Sequence, residues 1–313
     1  MRSGFQKDVD KGLSSPKKFI PSKYFYDQVG DRIFQKIMSL PEYYLSRSEY
    51  KIFEEQGVEI AQALPFKSAF DIVELGAGDG SKTKLLLKTL NALGLEFTYR
   101  PVDISKAVLE QLKSNIVAFC PEISVDPLAG DYFDILPHLS TTDKPKLFLF
   151  LGSNVGNFQP AEAEAFIQMI SNVMHSGDLL MIGMDLQKRP QLIEKAYNDS
   201  QGLTASFNMN LLQRMNKELG ANFDLDQFEF YVHYDPVRGF VNSFLVSLED
   251  QEVEILRLNK SYKFRENELI HTELSRKFNE EQIERLAFRT GFFVRKEFMD
   301  PDHYFVDSLW EKV

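Results

Sequence analysis

The stretch Val73–Thr83, VELGAGDGSKT, sets three glycines within five residues behind an apolar run, with Glu74 ahead of them and Asp79 inside the turn. A dinucleotide fingerprint spaces its glycines G-x-G-x-x-G so that a helix N-terminus receives a pyrophosphate. Gly76, Gly78 and Gly80 run G-x-G-x-G instead. Glu74 and Asp79 would repel an anion and attract a ligand carrying an amine or a sulfonium. Two further groups stand in a similar place. Asp103 closes FTYRPVD, where a carboxylate can accept both hydroxyls of a ribose. Asp131 and Tyr132 follow ISVDPLAG, where an acid and an aromatic edge suit an adenine amino group and ring. Taken singly, a strand-end acid is more often a helix cap or a solvated turn, and a loop tyrosine more often packing. Three acids at three successive strand ends around one glycine turn point to S-adenosylmethionine (SAM). NAD shares the ribose acid, but neither the glycine spacing nor Glu74 suits it.

Such groups need strands that end side by side, and the text supplies them. AFDIVELG, FTYRPVDIS, a short strand in ISVDPLAGDY, KLFLFLG and DLLMIGMDL alternate with amphipathic helices. These helices are SKTKLLLKTLNAL, with Ser81 expected as N-cap, KAVLEQLKSNIVAFC, and PAEAEAFIQMISNVM with proline near its start. Continuous apolar strands between helices give a parallel sheet covered on both faces, with ligands outside the carboxyl ends of the strands. Before this region, two helices flank an aromatic break at LPEYY, and residues 1–21 read as a loose, polar arm that orders only where it docks. After Lys188 the alternation stops. Two helices and the antiparallel pieces FEFYVHYD and GFVNSFLVSL follow, then a sheet-covering helix, EEQIERLAFRTG, and a closing hairpin. The expected organisation is an α/β, Rossmann-like class I SAM-dependent methyltransferase sheet over 47–187 and 278–313. Between these two segments the chain leaves the sheet, builds a second module and returns.

Composition narrows the class. At 313 residues, 43% hydrophobic, the chain can bury a large core, and its net charge of −10 argues against general nucleic-acid binding. No apolar run approaches membrane-spanning length and no signal-peptide core is visible, so a cytoplasmic monomer with no membrane or nucleic-acid partner is expected. A single cysteine, Cys120, and scattered histidines leave no metal site to propose. The 27 phenylalanines and 12 tyrosines mostly mean core, with some free to line a site for an organic cation.

With their flanks, these motifs resemble the L-histidine Nα-methyltransferases of ergothioneine biosynthesis, a family with relatives acting on other amino acids. The similarity runs from KYFYDQVGDRIFQKIMSLPEYY through ELGAGDGSKT, FLGSNVGNF and AYNDSQGLTASFNMNLLQRMNKELGANFD to IHTELSRKF and the last hairpin. The resemblance implies a SAM domain plus a second, α+β substrate-binding domain made from the N-terminal segment and the central insertion, over 1–46 and 188–277. It places Gly76, Lys82, Asp103, Asp131 and Tyr132 at the cofactor, joining Glu74 and Gly78 of the turn. Gly152 and Tyr26 fall near the reacting centre, and Asn157 and Tyr197 at the substrate carboxylate. Tyr43, Glu273 and Ser275 fall around the imidazole, with Phe34 and Phe207 as aromatic lining. Glu273 and Ser275, two apart, would face the same way on a strand. One position departs from the family: Ser243 stands where a larger apolar side chain would pack against the substrate ring, so the site is wider or wetter there. Acids in mixed strands are usually solvated, and Tyr43 alone would usually be core.

The implied reaction is methyl transfer to the α-amine of free histidine, in steps up to the trimethyl betaine hercynine, with Tyr26 orienting the amine. The alternatives are the same chemistry on tryptophan or a derivative, and a SAM-binding protein without turnover. A nucleic-acid or protein methyltransferase is disfavoured by the acidic charge and the lack of a basic stripe.

Overall fold

The computed structural model describes residues 3–78, 80–139 and 144–313. Asp79, singled out in the glycine turn, lies outside them. The chain divides into two compact units, Leu45–Gln187 with Lys277–Val313, and Met1–Tyr44 with Lys188–Arg276.

The first unit holds one sheet. Its strand order is Phe292–Met299, Phe305–Lys312, Leu179–Asp185, Lys146–Phe150, Phe70–Leu75, Phe97–Asp103, Ser124–Val125, with Leu128–Ala129 also pairing to Phe97–Asp103. The central strands are parallel and Phe305–Lys312 runs against Leu179–Asp185. Period-two alternation explains why these strands are apolar throughout. Ile72, Leu147, Leu149 and Met181 enter one buried cluster with Ile52, Leu86 and Leu112 of the helices Leu45–Ala63, Thr83–Ala92 and Lys106–Phe119. Val73, Phe148, Phe150 and Leu180 enter another with Ile167 and Leu286 of Pro160–Val173 and Glu280–Arg289. From Phe70–Leu75 the chain goes first to the strand on one side and later to Lys146–Phe150 on the other. This is the topological switch point at which open α/β sheets leave a crevice beyond the strand ends. One local expectation is corrected: Ser81 does not cap the helix after the glycine turn, which begins at Thr83 with Lys82 in the cap position and no side-chain cap bond. The turn runs on past Ser81 because the Thr83 hydroxyl is drawn to Glu74.

The second unit packs the helix Leu203–Leu219 on a four-stranded sheet ordered Lys18–Phe19, Leu269–Arg276, Phe240–Ser247, Phe228–Asp235. Phe207, Leu211 and Met215 meet Leu245 and Ile270 in its core. Gln251–Ile255 and Lys260–Phe264 form a separate antiparallel pair. Here the expectation of a loose N-terminal arm fails. Gly4–Leu13 is a helix with a reciprocal capping box between Ser3 and Gln6, and Lys18–Phe19 pairs in parallel with Leu269–Arg276. The cause is legible afterwards: Phe5, Val9 and Leu13 recur at four-residue spacing and all three are buried. Leu13→Ala should therefore lower the unfolding free energy by about 2–5 kcal/mol, measured by urea denaturation. An unchanged midpoint would restore the loose arm.

Candidate active site

The strand Phe70–Leu75 ends in Glu74, whose carboxylate is 3% exposed. The Thr83 hydroxyl donates to its Oε1 at 2.7 Å, and the Tyr99 hydroxyl donates to Oε2. One acid thus joins its own strand, the neighbouring strand and the helix beyond the glycine turn. Both oxygens are engaged inside, so Glu74 shapes the turn from beneath. Burial raises it to about 7, against the lowering pull of Tyr99 and Thr83.

The glycines are needed where they stand. Gly76 has φ +71°, and a Cβ there would lie 2.6 Å from the Tyr132 hydroxyl, so the phenol lies against bare backbone. Gly78 has φ +56° and open space around its missing side chain. Tyr132 is held above its ordinary value by burial, then by the charges of Asp103, Asp131 and Glu74. The residues read from three strand ends are therefore brought together. The bland alternative for Asp103 is also partly met: Oδ1 accepts the Ser105 N–H at 2.9 Å, bending the chain into the helix that Ser105 caps.

Across the switch point, Lys146–Phe150 leads into Gly152, at φ +75°, and a 3₁₀ turn, Asn154–Asn157. The Asn154 side-chain nitrogen lies 3.7 Å from the Cβ positions of both Gly76 and Gly152, so it stands between the two turns. Sequence reading passed over Asn154, and over Glu49. Glu49 accepts the Gly152 N–H at 2.6 Å and forms an ion pair with Lys82. Asn157 is exposed at the end of the 3₁₀ turn.

In the other unit the aromatic residues named from sequence form one group. Phe34 and Phe207 stack at 5.7 Å, Tyr26 meets them edge-on at 5.6 and 5.7 Å, and Tyr43 meets Phe34 at 6.1 Å. The strand Leu269–Arg276 carries Glu273 and Ser275, paired across to Ser243 and Val241. Directly paired residues share a face. Ile270 pairs with core residue Leu245, and Glu273, three residues on, pairs with Ser243 on that same face. Plain alternation forbids this; the register shift between His271 and Glu273 permits it. Thr272, at the shift, is tied by its hydroxyl to Asn208 of the helix at 2.6 Å. The bulge therefore turns Glu273 and Ser275 to the helix side of the sheet. Ser275 and Tyr197 share a hydrogen bond of 2.8 Å. Burial and then the Glu273 charge raise the Tyr26 phenol above its ordinary value, although the residue is 48% exposed, so the desolvation is that of a half-open cleft. Ser243 is fully buried, and its hydroxyl has no hydrogen-bond partner among the described residues.

A family model described as histidine-specific methyltransferase, SAM-dependent, matches residues 5–312, across both units. The chain belongs to this family. It is 35% identical over 307 residues to the histidine N-alpha-methyltransferase of Mycolicibacterium smegmatis, covering 97% of this chain and 94% of that protein. It is 34% identical to the Mycobacterium tuberculosis protein of the same name, covering 89% and 85%. It is 31% identical to ergothioneine biosynthesis protein 1 of Neurospora crassa, covering 87% of this chain and 31% of that protein. Membership makes SAM the cofactor, and the residues fit it: bare backbone at Gly76 and Gly78, acids at Asp103 and Asp131, an aromatic at Tyr132, and an ammonium at Lys82 for a carboxylate.

The raised Glu74 has a consequence for a methyltransferase of this family. Between about pH 4.5 and about 7 the folded protein keeps a proton on Glu74 that the unfolded chain has released. Its contribution to stability therefore falls as pH rises through that window and is level on either side. Glu74→Gln cannot titrate, so the stability of the natural protein relative to the variant should drop by roughly 3 kcal/mol across the window, at about 1.4 per pKa unit. Urea unfolding at a series of pH values measures it; a difference that stays level or rises would contradict the buried, protonated Glu74.

Proposed function

We propose that the chain transfers methyl groups to the α-amine of free L-histidine, successively, to the trimethyl betaine. The observation that carries this is the family match over residues 5–312. Bound SAM supplies an electrophilic methyl on its sulfonium. Gly76, Gly78, Lys82, Asp103, Asp131 and Tyr132 hold it, on a turn kept in shape by Glu74. The protein's own task is to position the amine and keep it neutral, and orientation of this kind is worth roughly 7–11 kcal/mol in well-aligned cases.

The substrate groups fit the chemistry of histidine. Glu273 accepts from one ring nitrogen. Tyr197 and Ser275, 2.8 Å apart, settle their direction through the ligand. With Ser275 donating to Tyr197, the Tyr197 hydroxyl donates to the substrate carboxylate and the Ser275 oxygen accepts from the second nitrogen of a protonated imidazole. Asn157 adds a neutral amide donor for the carboxylate, with no charge to compete with the cofactor. Tyr26, its pKa raised, stays a neutral hydroxyl at neutral pH. Its oxygen accepts from the amine, and the proton leaves through water at this half-exposed position. The Tyr26, Phe34, Tyr43 and Phe207 rings suit a cation that grows with each methyl.

A bulkier aromatic amino acid is the second reading, favoured by the small, buried Ser243 directly opposite Glu273, whose hydroxyl has no hydrogen-bond partner among the described residues. Glu273→Gln separates the two, because it keeps the shape and removes the charge. It should cost about 2–5 kcal/mol in kcat/KM for histidine, mostly as KM. SAM affinity should survive, and tryptophan turnover should not fall in parallel. Steady-state kinetics with both amino acids decides; unchanged KM and kcat for histidine would remove Glu273 from the ring and leave the second reading.

A further inference from the structure

We propose that Glu49 is the positioning residue of the site for the cofactor's amino-acid end, fixing the Lys82 ammonium and the Gly152 N–H with one carboxylate. This rests on the assignment of Lys82 to the cofactor. Glu49 lies on the helix Leu45–Ala63 and is fully buried. Its Oε1 takes the Gly152 N–H at 2.6 Å and its Oε2 the Lys82 ammonium. The two turns it joins follow the adjacent strands Phe70–Leu75 and Lys146–Phe150. The Lys82 ammonium lies 3.6 Å from where a Cβ on Gly152 would stand, so Glu49 holds the cation against bare backbone. A lysine side chain is a flexible stem ending in a strongly hydrated charge. Without an anion beneath it, the ammonium would turn to solvent and would have to be recovered each time the cofactor bound.

Glu49 is itself held in place. A Cβ on Gly183 would come 2.4 Å from Glu49 Oε1 and 3.2 Å from Asp307 Oδ1, so the carboxyl groups of Glu49 and Asp307 meet in the hollow a glycine leaves. Two carboxyls that close, away from water, keep a proton between them. Asp307 is fully buried, neither of its oxygens accepts a hydrogen bond among the described residues, and burial and then the Glu49 charge hold it well above the ordinary carboxylate range. The raised Asp307 carboxyl is thus the one that carries the proton, while Glu49 pairs with the Lys82 ammonium. Glu74, the other carboxyl acting on this group, is occupied by Tyr99 and Thr83.

The test compares Glu49→Gln, Gly183→Ala, Asp307→Asn and Lys82→Met in the full chain, by calorimetric titration with SAM and by steady-state kinetics. Glu49→Gln removes the charge, and Gly183→Ala leaves Glu49 chemically unchanged but crowds it, the alanine Cβ falling 2.4 Å from Oε1 and 3.1 Å from the Gly152 nitrogen. Each should weaken SAM affinity and raise its KM about tenfold or more, the usual loss when the group orienting a binding residue is removed, while kcat changes far less. Asp307→Asn, which replaces one neutral group by another, should do less than Glu49→Gln. If Gly183→Ala does not fold, Glu49→Gln and Asp307→Asn decide. SAM affinity lost in Lys82→Met but kept in Glu49→Gln overturns the positioning role, as does a fall in kcat alone. Affinity kept in Lys82→Met removes Lys82 from the cofactor site, and the proposal with it.

Discussion

Carboxylates taken out of water must be matched by partners or give up their charge, and the sheet unit is organised around that constraint. Glu74 and Glu49 are both buried at the switch point between Phe70–Leu75 and Lys146–Phe150. Glu74 meets the constraint with two hydroxyls and a raised pKa. Glu49 meets it with an ammonium and a backbone N–H. The atoms that satisfy these two acids come from the neighbouring strand at Tyr99, the helix start at Lys82 and Thr83, and the Gly152 turn. The glycine turn and the Gly152 turn are thus both tied to buried carboxylates beneath them.

The second unit places its polar groups by register. A one-residue bulge at Thr272 puts Glu273 and Ser275 on the face that already carries Ile270 and Leu245. On that face the buried Ser275 and the partly buried Glu273 stand among apolar neighbours, where a hydrogen bond is stronger than in water. The half-exposed Tyr26 and the stacked Phe34 and Phe207 add rings with negative faces, the feature that suits the cation of the proposed product.

Much of this was legible in the sequence. Apolar strands alternating with amphipathic helices dictate a covered parallel sheet, and Glu74, Gly76, Asp103, Asp131 and Tyr132 are legible as residues at or just beyond its strand ends. Other features left no local trace. Glu49 sits in SRSEYKIFEEQ among further acids, and only the packed helix distinguishes it from a solvated neighbour. Asp307 alternates with apolar residues as any outward strand acid would. The bulge at Thr272 has no glycine or proline to announce it; it depends on the Asn208 bond made across the unit. The N-terminal helix is a different case. Phe5, Val9, Leu13 and the Ser3–Gln6 cap were present, but the prolines that follow drew attention to a loose arm instead.

Methyl transfer to free histidine is tested most directly by incubating the protein with SAM and each of the twenty free amino acids, with histamine alongside, and reading the products by mass. Histidine should gain methyl groups up to three on its α-amine, roughly the only substrate in the panel, since a site built to bond a ring N–H and a carboxylate rejects analogues lacking either. Histamine, which has the ring but no carboxylate, should hardly react. Rapid methylation of histamine, or turnover of another amino acid in preference to histidine, would contradict the assignment of these two ends of the site.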